Sequence, residues 1–170
     1  MGQTMVTAGF FVLLIAAVIS ANRMIGESTS TTYEGDAMNM AVDIARSVMN
    51  AAYRKKFDEN AIDSVYQAAS DFTAPASLGP SSSEIISPWP DQVPYKSPGL
   101  YDDFDDYNGY VRTVDAAALK GFIVTVQVYY VDESKFLKSN VQTYFKRIDI
   151  SVEHPTYLQN KVTYSTIVTR

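Results

Sequence analysis

The chain has 170 residues, with 14 basic and 19 acidic side chains, a formal net charge of −5 and no cysteine. The length predicts one domain with room for an appended segment. The mild acidity offers no basic stripe for nucleic acid, and the lack of cysteine excludes disulfides, thiolate metal ligands and cysteine nucleophiles. With His154 as the one histidine, neither a zinc cluster nor a His-dependent triad is predicted. We therefore expect no enzyme.

The chain opens on an uncharged apolar segment. Its first charged residue is Arg23, and residues 6–19 are apolar on every helical face. A helix of that kind must be surrounded by lipid or by protein. About 22 helical residues span roughly 33 Å, close to the hydrocarbon thickness of a bilayer. Residues 1–25 are therefore predicted to form a helix for a membrane or a protein core.

Three interpretations of this segment are open. One is a cleaved secretory signal ending near Ile19-Ser20-Ala21, although no Lys or Arg precedes the apolar run. Another is a plain single-span anchor. The third is a mature segment, already trimmed of a basic leader, that leaves the bilayer and packs against copies of itself. Small residues would let such helices approach closely; they are Gly2, Ala8, Gly9, Ala16, Ala17 and Ala21.

A polar neck is predicted over residues 26–35. Its Ser/Thr run at residues 28–32 is poor as an isolated helix. We expect either a stretched section between two helices or a solvated helix held by its neighbours. Asn22 and Gly26 are the predicted soft points at which the helix could stretch.

An amphipathic helix is predicted over residues 36–57. Its apolar residues recur at helical spacing, which predicts one stripe that covers a sheet. The members of the stripe are Ala37, Ala41, Ile44, Ala45, Val48 and Ala52. The helix is expected to reach Lys56, so that Arg54, Lys55 and Lys56 would lie near its C-terminal dipole.

An irregular loop is predicted over residues 71–109. All but one of the seven prolines lie between residues 71 and 101. Trp89, between two prolines, is expected to pin the loop to the body of the domain, with a ligand platform as the alternative.

Four carboxylates lie within five positions of this loop, at Asp102, Asp103, Asp105 and Asp106. Two interpretations are open. Carboxylates at this density could bind Ca²⁺, whose ligands are oxygens, although the spacing is not that of an EF-hand. Alternatively, the carboxylates cap neighbouring backbone amides, and the loop ends in a turn at Asn108 and Gly109.

Residues 110–170 are predicted to form an antiparallel sheet. Strands are expected near residues 110–114, 122–131, 143–153 and 161–169 from β-rich or alternating patterns. In the third of these, the apolar face is interrupted only by Lys146. His154, beside Pro155 in a connection, is expected to be a surface residue with a structural role. With the helical stripe as its cover, the sheet completes a two-layer α+β domain over residues 36–170.

This order of elements resembles the type IV pilin and pseudopilin superfamily. The sharpest matches are to minor pilins of the mannose-sensitive haemagglutinin type. They lie at residues 45–59, in the acidic run at residues 102–109, and in the closing hairpin at residues 146–155 and 162–169. The resemblance implies a pilin-like fold. It differs at Met5, because the family usually has Glu at the fifth mature position.

The resemblance implies a structural subunit of an extracellular filament, held in the inner membrane until pilus assembly machinery adds it to copies of itself. It implies neither a cofactor nor catalytic residues. The residues expected to carry polymerisation are Gln3, Thr4, Met5, Val6, Phe10, Phe11, Leu13, Leu14, Ile15, Val18 and Ile19. The alternatives are a membrane-anchored minor pilin or pseudopilin that primes a pilus or secretion assembly, and a secreted β-rich enzyme or binding domain with a signal peptide.

Overall fold

The computed structural model describes residues 2–61, 67–86, 95–96, 99–116 and 119–170, without the side chains of residues 2–7, 86, 95 and 96. One long helix packs on a four-stranded antiparallel sheet, which confirms the predicted α+β layout. Trp89, for which a pinning role is predicted, lies outside the described residues, as do Pro88, Pro90, Pro94 and Pro98.

Helix α1 runs without interruption over Gly2–Ala52. The predicted polar neck is therefore helical, the second of its two expected forms. The hydroxyls of Thr29, Thr31 and Thr32 donate to the carbonyls four residues earlier at 2.8–2.9 Å. These bonds let Ser/Thr residues sit inside a solvated helix, because the hydroxyl acts within the helix rather than competing with its backbone bonds.

Helix α1 ends at Ala52, and the prediction that it reaches Lys56 is wrong. The Lys56 amide instead donates to Asp102 O at 3.3 Å, and the Phe104 amide donates to Lys56 O at 2.8 Å. The backbone of Lys56 thus pairs with the acidic run of the loop. Lys55 Nζ donates to Tyr101 O, so this charge serves the loop rather than the dipole of the helix. A long-range pairing ends the helix here, where local sequence would let it continue.

Two β-sheets follow the helix in the described part of the chain. A small pair joins β1 (Ile85–Ile86) to β2 (Tyr95–Lys96). The larger sheet has the order β3-β4-β5-β6, all antiparallel. Its strands are β3 (Val111–Ala116), β4 (Leu119–Tyr130), β5 (Phe145–Glu153) and β6 (Val162–Thr169). Each lies within two or three residues of its predicted span.

The hydrophobic core lies between the C-terminal part of α1 and one face of the sheet. Helix α1 contributes mainly alanines to it: Ala37, Ala41, Ala45 and Ala52 are fully buried. The sheet contributes the alternate β-branched residues of two strands. They are Val124, Val126, Val128, Ile148, Ile150 and Val152. Small side chains on the helix let its backbone approach the larger residues of the sheet closely.

His154 is buried, and the expected surface position is wrong. Its Nε2 lies 2.9 Å from Lys120 O, and the amides of Thr156 and Tyr157 donate to its Nδ1 at 3.1 and 3.2 Å. Its ring packs against Phe122 with centroids 4.8 Å apart. His154 therefore organises the connection between β5 and β6.

Candidate functional site

The first candidate site is the exposed half of α1. Every described side chain from Ala8 to Tyr33 is exposed. The large apolar side chains between Phe10 and Ile19 are between 51 % and 70 % accessible. They are Phe10, Phe11, Val12, Leu13, Leu14, Ile15, Val18 and Ile19. The helix is long and apolar enough to cross a membrane, with a mean hydropathy of 1.9 over its most apolar window, none of it buried.

Most of the predicted polymerisation residues lie on this exposed half. Gln3, Thr4, Met5 and Val6 belong to the helix, but their side chains lie outside the described part. Asn22 and Gly26, the predicted soft points, are exposed and helical. A Cβ added at Gly26 would meet nothing within 4 Å, so no packing requirement of the single chain explains this glycine.

The boundary between the two halves of α1 is sharp. Tyr33 is 45 % exposed, whereas Ala37 is completely buried. From Ala37 onward one face of the helix lies on β4, β5 and β6. The domain therefore covers only the last four or five turns of α1, and the earlier turns extend beyond it.

The acidic run forms a compact turn in which the carboxylates accept from backbone amides. Asp103 Oδ1 accepts from the amides of Asp105 and Asp106 at 2.8 and 3.1 Å. Asp106 Oδ2 accepts from the amides of Asp102 and Asp103, both at 2.9 Å. This is the capping arrangement, the second of the two predicted interpretations. The turn at Asn108 and Gly109 is present, with Gly109 at φ 73°.

Glu84 adds a fifth carboxylate to this region. Its Oε1 accepts from the Asp102 amide at 3.2 Å, and its Oε2 accepts from the Ser81 amide at 2.7 Å. One carboxylate oxygen from each of Glu84, Asp102 and Asp106 lies within 4.8 Å of the other two. This group has the hard oxygen ligands that Ca²⁺ prefers, and it is where the predicted Ca²⁺ site would lie. Asp103 and Asp105 are outside it.

Burial changes the protonation of this turn. Burial, and then the negative charge of Asp105, raises the pKa of Asp103 to about 7. Burial, and then the charge of Asp103, raises the pKa of Asp106 to about 7. The amides that these carboxylates accept from act in the opposite direction. Near neutral pH, protons are therefore shared within the turn.

The second candidate site is a buried ion cluster around Lys146. Its side chain is completely inaccessible, and its Nζ donates to Asp58 Oδ2 at 2.7 Å, to Asp105 Oδ1 and to Phe57 O at 2.7 Å. The Nζ also lies 4.6 Å from the centroid of the Phe57 ring and 5.2 Å from that of Tyr130. All three ammonium donors are thus satisfied by protein in an aromatic enclosure.

Asp58 is the most extensively bonded carboxylate of the cluster. Its oxygens accept from the Asn60 amide, the Thr73 amide and hydroxyl, and the Tyr130 hydroxyl, all at 3.0–3.1 Å. Burial acts to raise the pKa of Asp58, but Lys146 and the Asn60 and Thr73 amides outweigh it, so that the pKa is lowered. Asp58 therefore stays ionised. In contrast, burial raises the pKa of Asp105 despite the neighbouring Lys146.

The sequence reasoning missed this cluster. One signal was present, because Lys146 was the only residue out of pattern on the apolar face of its strand. No comparable signal identified its partners, because Asp58 and Asp105 lie 88 and 41 residues away along the chain. Nothing in the local sequence around either aspartate indicates that its carboxylate turns inward.

Comparison of the chain with protein-family models, with curated proteins and with solved structures found no match.

Proposed function

We propose that this protein is a structural subunit of an extracellular helical filament of the type IV pilus kind, and that it polymerises through the N-terminal half of α1. The observation that carries the proposal is the exposure of every described side chain from Ala8 to Tyr33 on a helix that is otherwise part of a well-packed domain. The resemblance in sequence to pilins supports the same assignment.

An apolar helix of this kind needs a cover. Fully burying one large aliphatic or aromatic side chain stabilises by about 1.5–3 kcal/mol relative to water. Eight such side chains between Phe10 and Ile19 are more than half exposed. Because they lie on all faces of the helix, one flat partner surface cannot cover them. The helix must be enclosed by lipid or by several other helices.

A bundle of copies can replace the lipid at little cost, because its interior is as apolar as the bilayer core. Ala8, Gly9, Ala16 and Ala17 interrupt the large side chains and allow close approach of neighbouring helices. The chain would thus wait in the inner membrane and leave it when assembly machinery transfers it to the growing filament. Its partners are copies of itself.

The continuity of α1 supports the same arrangement. Since the sheet covers only the region from Ala37 to Ala52, the domain sits at one end of the rod and leaves the other end free. Rods stacked side by side with an axial offset would place the domains outside and the apolar halves at the centre. Repetition of one heterologous contact along an open helix produces a fibre.

Two substitutions distinguish whether the apolar half of α1 forms the core of a filament or only anchors the chain in a membrane. Leu14→Arg places a charge in the apolar half and is expected to abolish filaments in sheared surface material, as seen by electron microscopy and tied to the chain by mass spectrometry. Ala17→Trp keeps the helix apolar, so membrane insertion should persist while close helix packing is blocked. Arg23→Lys, which keeps the charge at an exposed position, is the matched control.

Normal filaments from both variants would contradict the proposal. Filaments lost with Leu14→Arg but kept with Ala17→Trp would favour the first alternative, a membrane-anchored minor pilin or pseudopilin that primes an assembly. The observation that supports this alternative is the same exposed apolar helix. The second alternative, a secreted binding or enzyme domain with a signal peptide, predicts that N-terminal sequencing of the mature protein starts near Asn22.

A further inference from the structure

Lys146 is held in a position where its amine could react with a carboxyl group. The side chain is 0 % accessible, and Nζ contacts Asp105 Oδ1 while it lies 2.7 Å from Asp58 Oδ2. The Phe57 and Tyr130 rings complete the enclosure. An amine and a carboxyl group in contact and shielded from water are the two components of an amide bond.

The two carboxylates of the cluster are not equivalent. Asp58 is fixed by the Asn60 and Thr73 amides and by the Thr73 and Tyr130 hydroxyls. These donors stabilise its charge on both oxygens, which makes it a poor electrophile. Its Oδ2 lies 2.7 Å from Nζ, where it can accept a proton and pass it on. Asp105 Oδ1 contacts Lys146 Nζ. Among the described residues, fewer donors reach the Asp105 carboxylate than the Asp58 carboxylate, so its charge is less stabilised and its Cγ is the better electrophile.

We propose that Lys146 and Asp105 condense to an intramolecular isopeptide bond, with Asp58 as the group that accepts and returns the proton. Asp58 takes one proton from the ammonium, and the free Nζ lone pair attacks Cγ of Asp105. The C–N bond forms and one C–O bond breaks. The departing oxygen collects the second proton lost by the amine and the proton that Asp58 returns, and it leaves as water.

The reaction balances without any other reactant. An ammonium and a carboxylate become one neutral amide and one molecule of water, so no oxidant, reductant or cofactor is required. Groups held in contact by a folded protein can reach effective molarities of about 10⁵–10⁸ M. The product also removes two buried charges, which are costly to keep in an apolar environment.

The bond would tie β5 to the acidic turn across 41 residues of chain. A cross-link of this kind restricts the unfolded chain in the way that a disulfide does. The sequence has no cysteine, so a disulfide cannot supply such a brace. The inference concerns the domain alone and does not depend on filament formation, since a monomer in the membrane would carry the same bond.

The test is mass spectrometry of the full chain, extracted from membranes in detergent and denatured. We expect the intact chain to be lighter, by the mass of one water, than the sequence between its experimentally determined termini. After trypsin digestion we expect no cleavage at Lys146, and a branched peptide in which Lys146 is joined to the segment that contains Asp105. An intact mass equal to that of the sequence would overturn the proposal whether or not any variant folds.

Variants identify the reacting groups. Asp105→Ala and Lys146→Arg should keep the full mass. Asp105→Asn should lose ammonia instead of water and give the same product, because an amide can also be the electrophile. Asp132→Asn, at a carboxylate far along the chain in a solvated turn, is the control and should still lose water. A lighter chain that trypsin still cleaves at Lys146 would indicate a cyclic imide and overturn the proposal, as would a branch at Asp58.

Discussion

Lys146 Nζ lies 2.7 Å from Asp58 Oδ2, and both side chains are completely buried. This contact joins β5, an inner strand of the sheet, to the segment that follows α1. Together with the Lys146 contact to Asp105, it places the end of the helix, the acidic turn and strand β5 around one cation. The domain is therefore organised around a polar centre as well as around its apolar core.

Removing the Lys146 side chain is expected to destabilise the domain strongly, whether its amine is charged or has joined Asp105 in the proposed bond. Lys146→Met fills similar volume but leaves Asp58 and Asp105 as buried carboxylates with no cation. Breaking a buried ion pair from one side typically costs 3–5 kcal/mol, so we expect a loss of about that size in the free energy of unfolding. Urea denaturation of the full chain in detergent, followed by circular dichroism, measures it.

Lys135→Met is the matched control, because Lys135 is exposed in a turn, and it should change the free energy of unfolding little. Equal stability of Lys146→Met and the wild-type chain would show that the cluster contributes nothing to folding.

The strands could be predicted because their pattern is local. Alternating apolar and polar residues over 145–153 place Ile148, Ile150 and Val152 on one face whatever the partner strand is, and the structure confirms it. The apolar stripe from Ala37 to Ala52 could be predicted for the same reason, because its apolar residues recur with the period of an α-helix.

The end of α1 and the ion cluster could not be predicted, because both depend on contacts between distant residues. Residues 53–56 carry good helix formers, and it is the pairing of Lys56 with the acidic run that takes them out of the helix. Lys146 could be recognised as anomalous, but its partners could not be identified. In sequence, Asp58 looks like an ordinary surface carboxylate, and the acidic run around Asp105 does not show that this carboxylate meets Lys146.

The stability of the domain is expected to fall as pH rises from 3.8 to about 7, owing to Asp103, because burial, the first cause of its raised pKa, acts whether or not Asp105 keeps its charge. Its folded pKa is above the ordinary value of 3.8, so in this window the folded chain binds more protons than the unfolded chain. Asp105, Asp106 and Lys146 are the charged groups that face it. Asp58 acts in the opposite direction, because its lowered pKa gives a contribution that is present above 3.8 and lost as pH falls through its folded pKa.

Asp103→Asn should remove the part of the pH dependence of domain stability that the titration of Asp103 causes. The amide oxygen of Asn can still accept from the Asp105 and Asp106 amides, and its NH₂ group can donate to Asp105 as a protonated carboxyl would. We expect this variant to be more stable than wild type above pH 7 and nearly equal to it at acid pH. Urea midpoints across the pH range measure both, and parallel curves for the two proteins would contradict the assignment.

Removal of divalent cations tests the acidic turn. Asp103, Asp105 and Asp106 already accept from backbone amides or from Lys146, so we expect excess EDTA to leave the thermal midpoint of the full chain unchanged. A midpoint that rises with added Ca²⁺ would instead place the ion at Glu84, Asp102 and Asp106. Asp102→Asn should abolish such a rise, whereas Asp115→Asn, in a distant strand, should not.

Gly26→Ala tests whether the neck of α1 stretches. Alanine is favoured over glycine by about 1 kcal/mol inside a helix, and the added Cβ meets nothing within 4 Å. We expect slower amide hydrogen exchange around residue 26 and an unchanged unfolding midpoint for the domain, whose buried helical residues begin at Ala37. If assembly requires the helix to extend at Gly26, this variant should also give fewer filaments. Gly35→Ala has the same propensity change and equally open surroundings, so an equal loss of filaments in both variants would argue against a special role for Gly26.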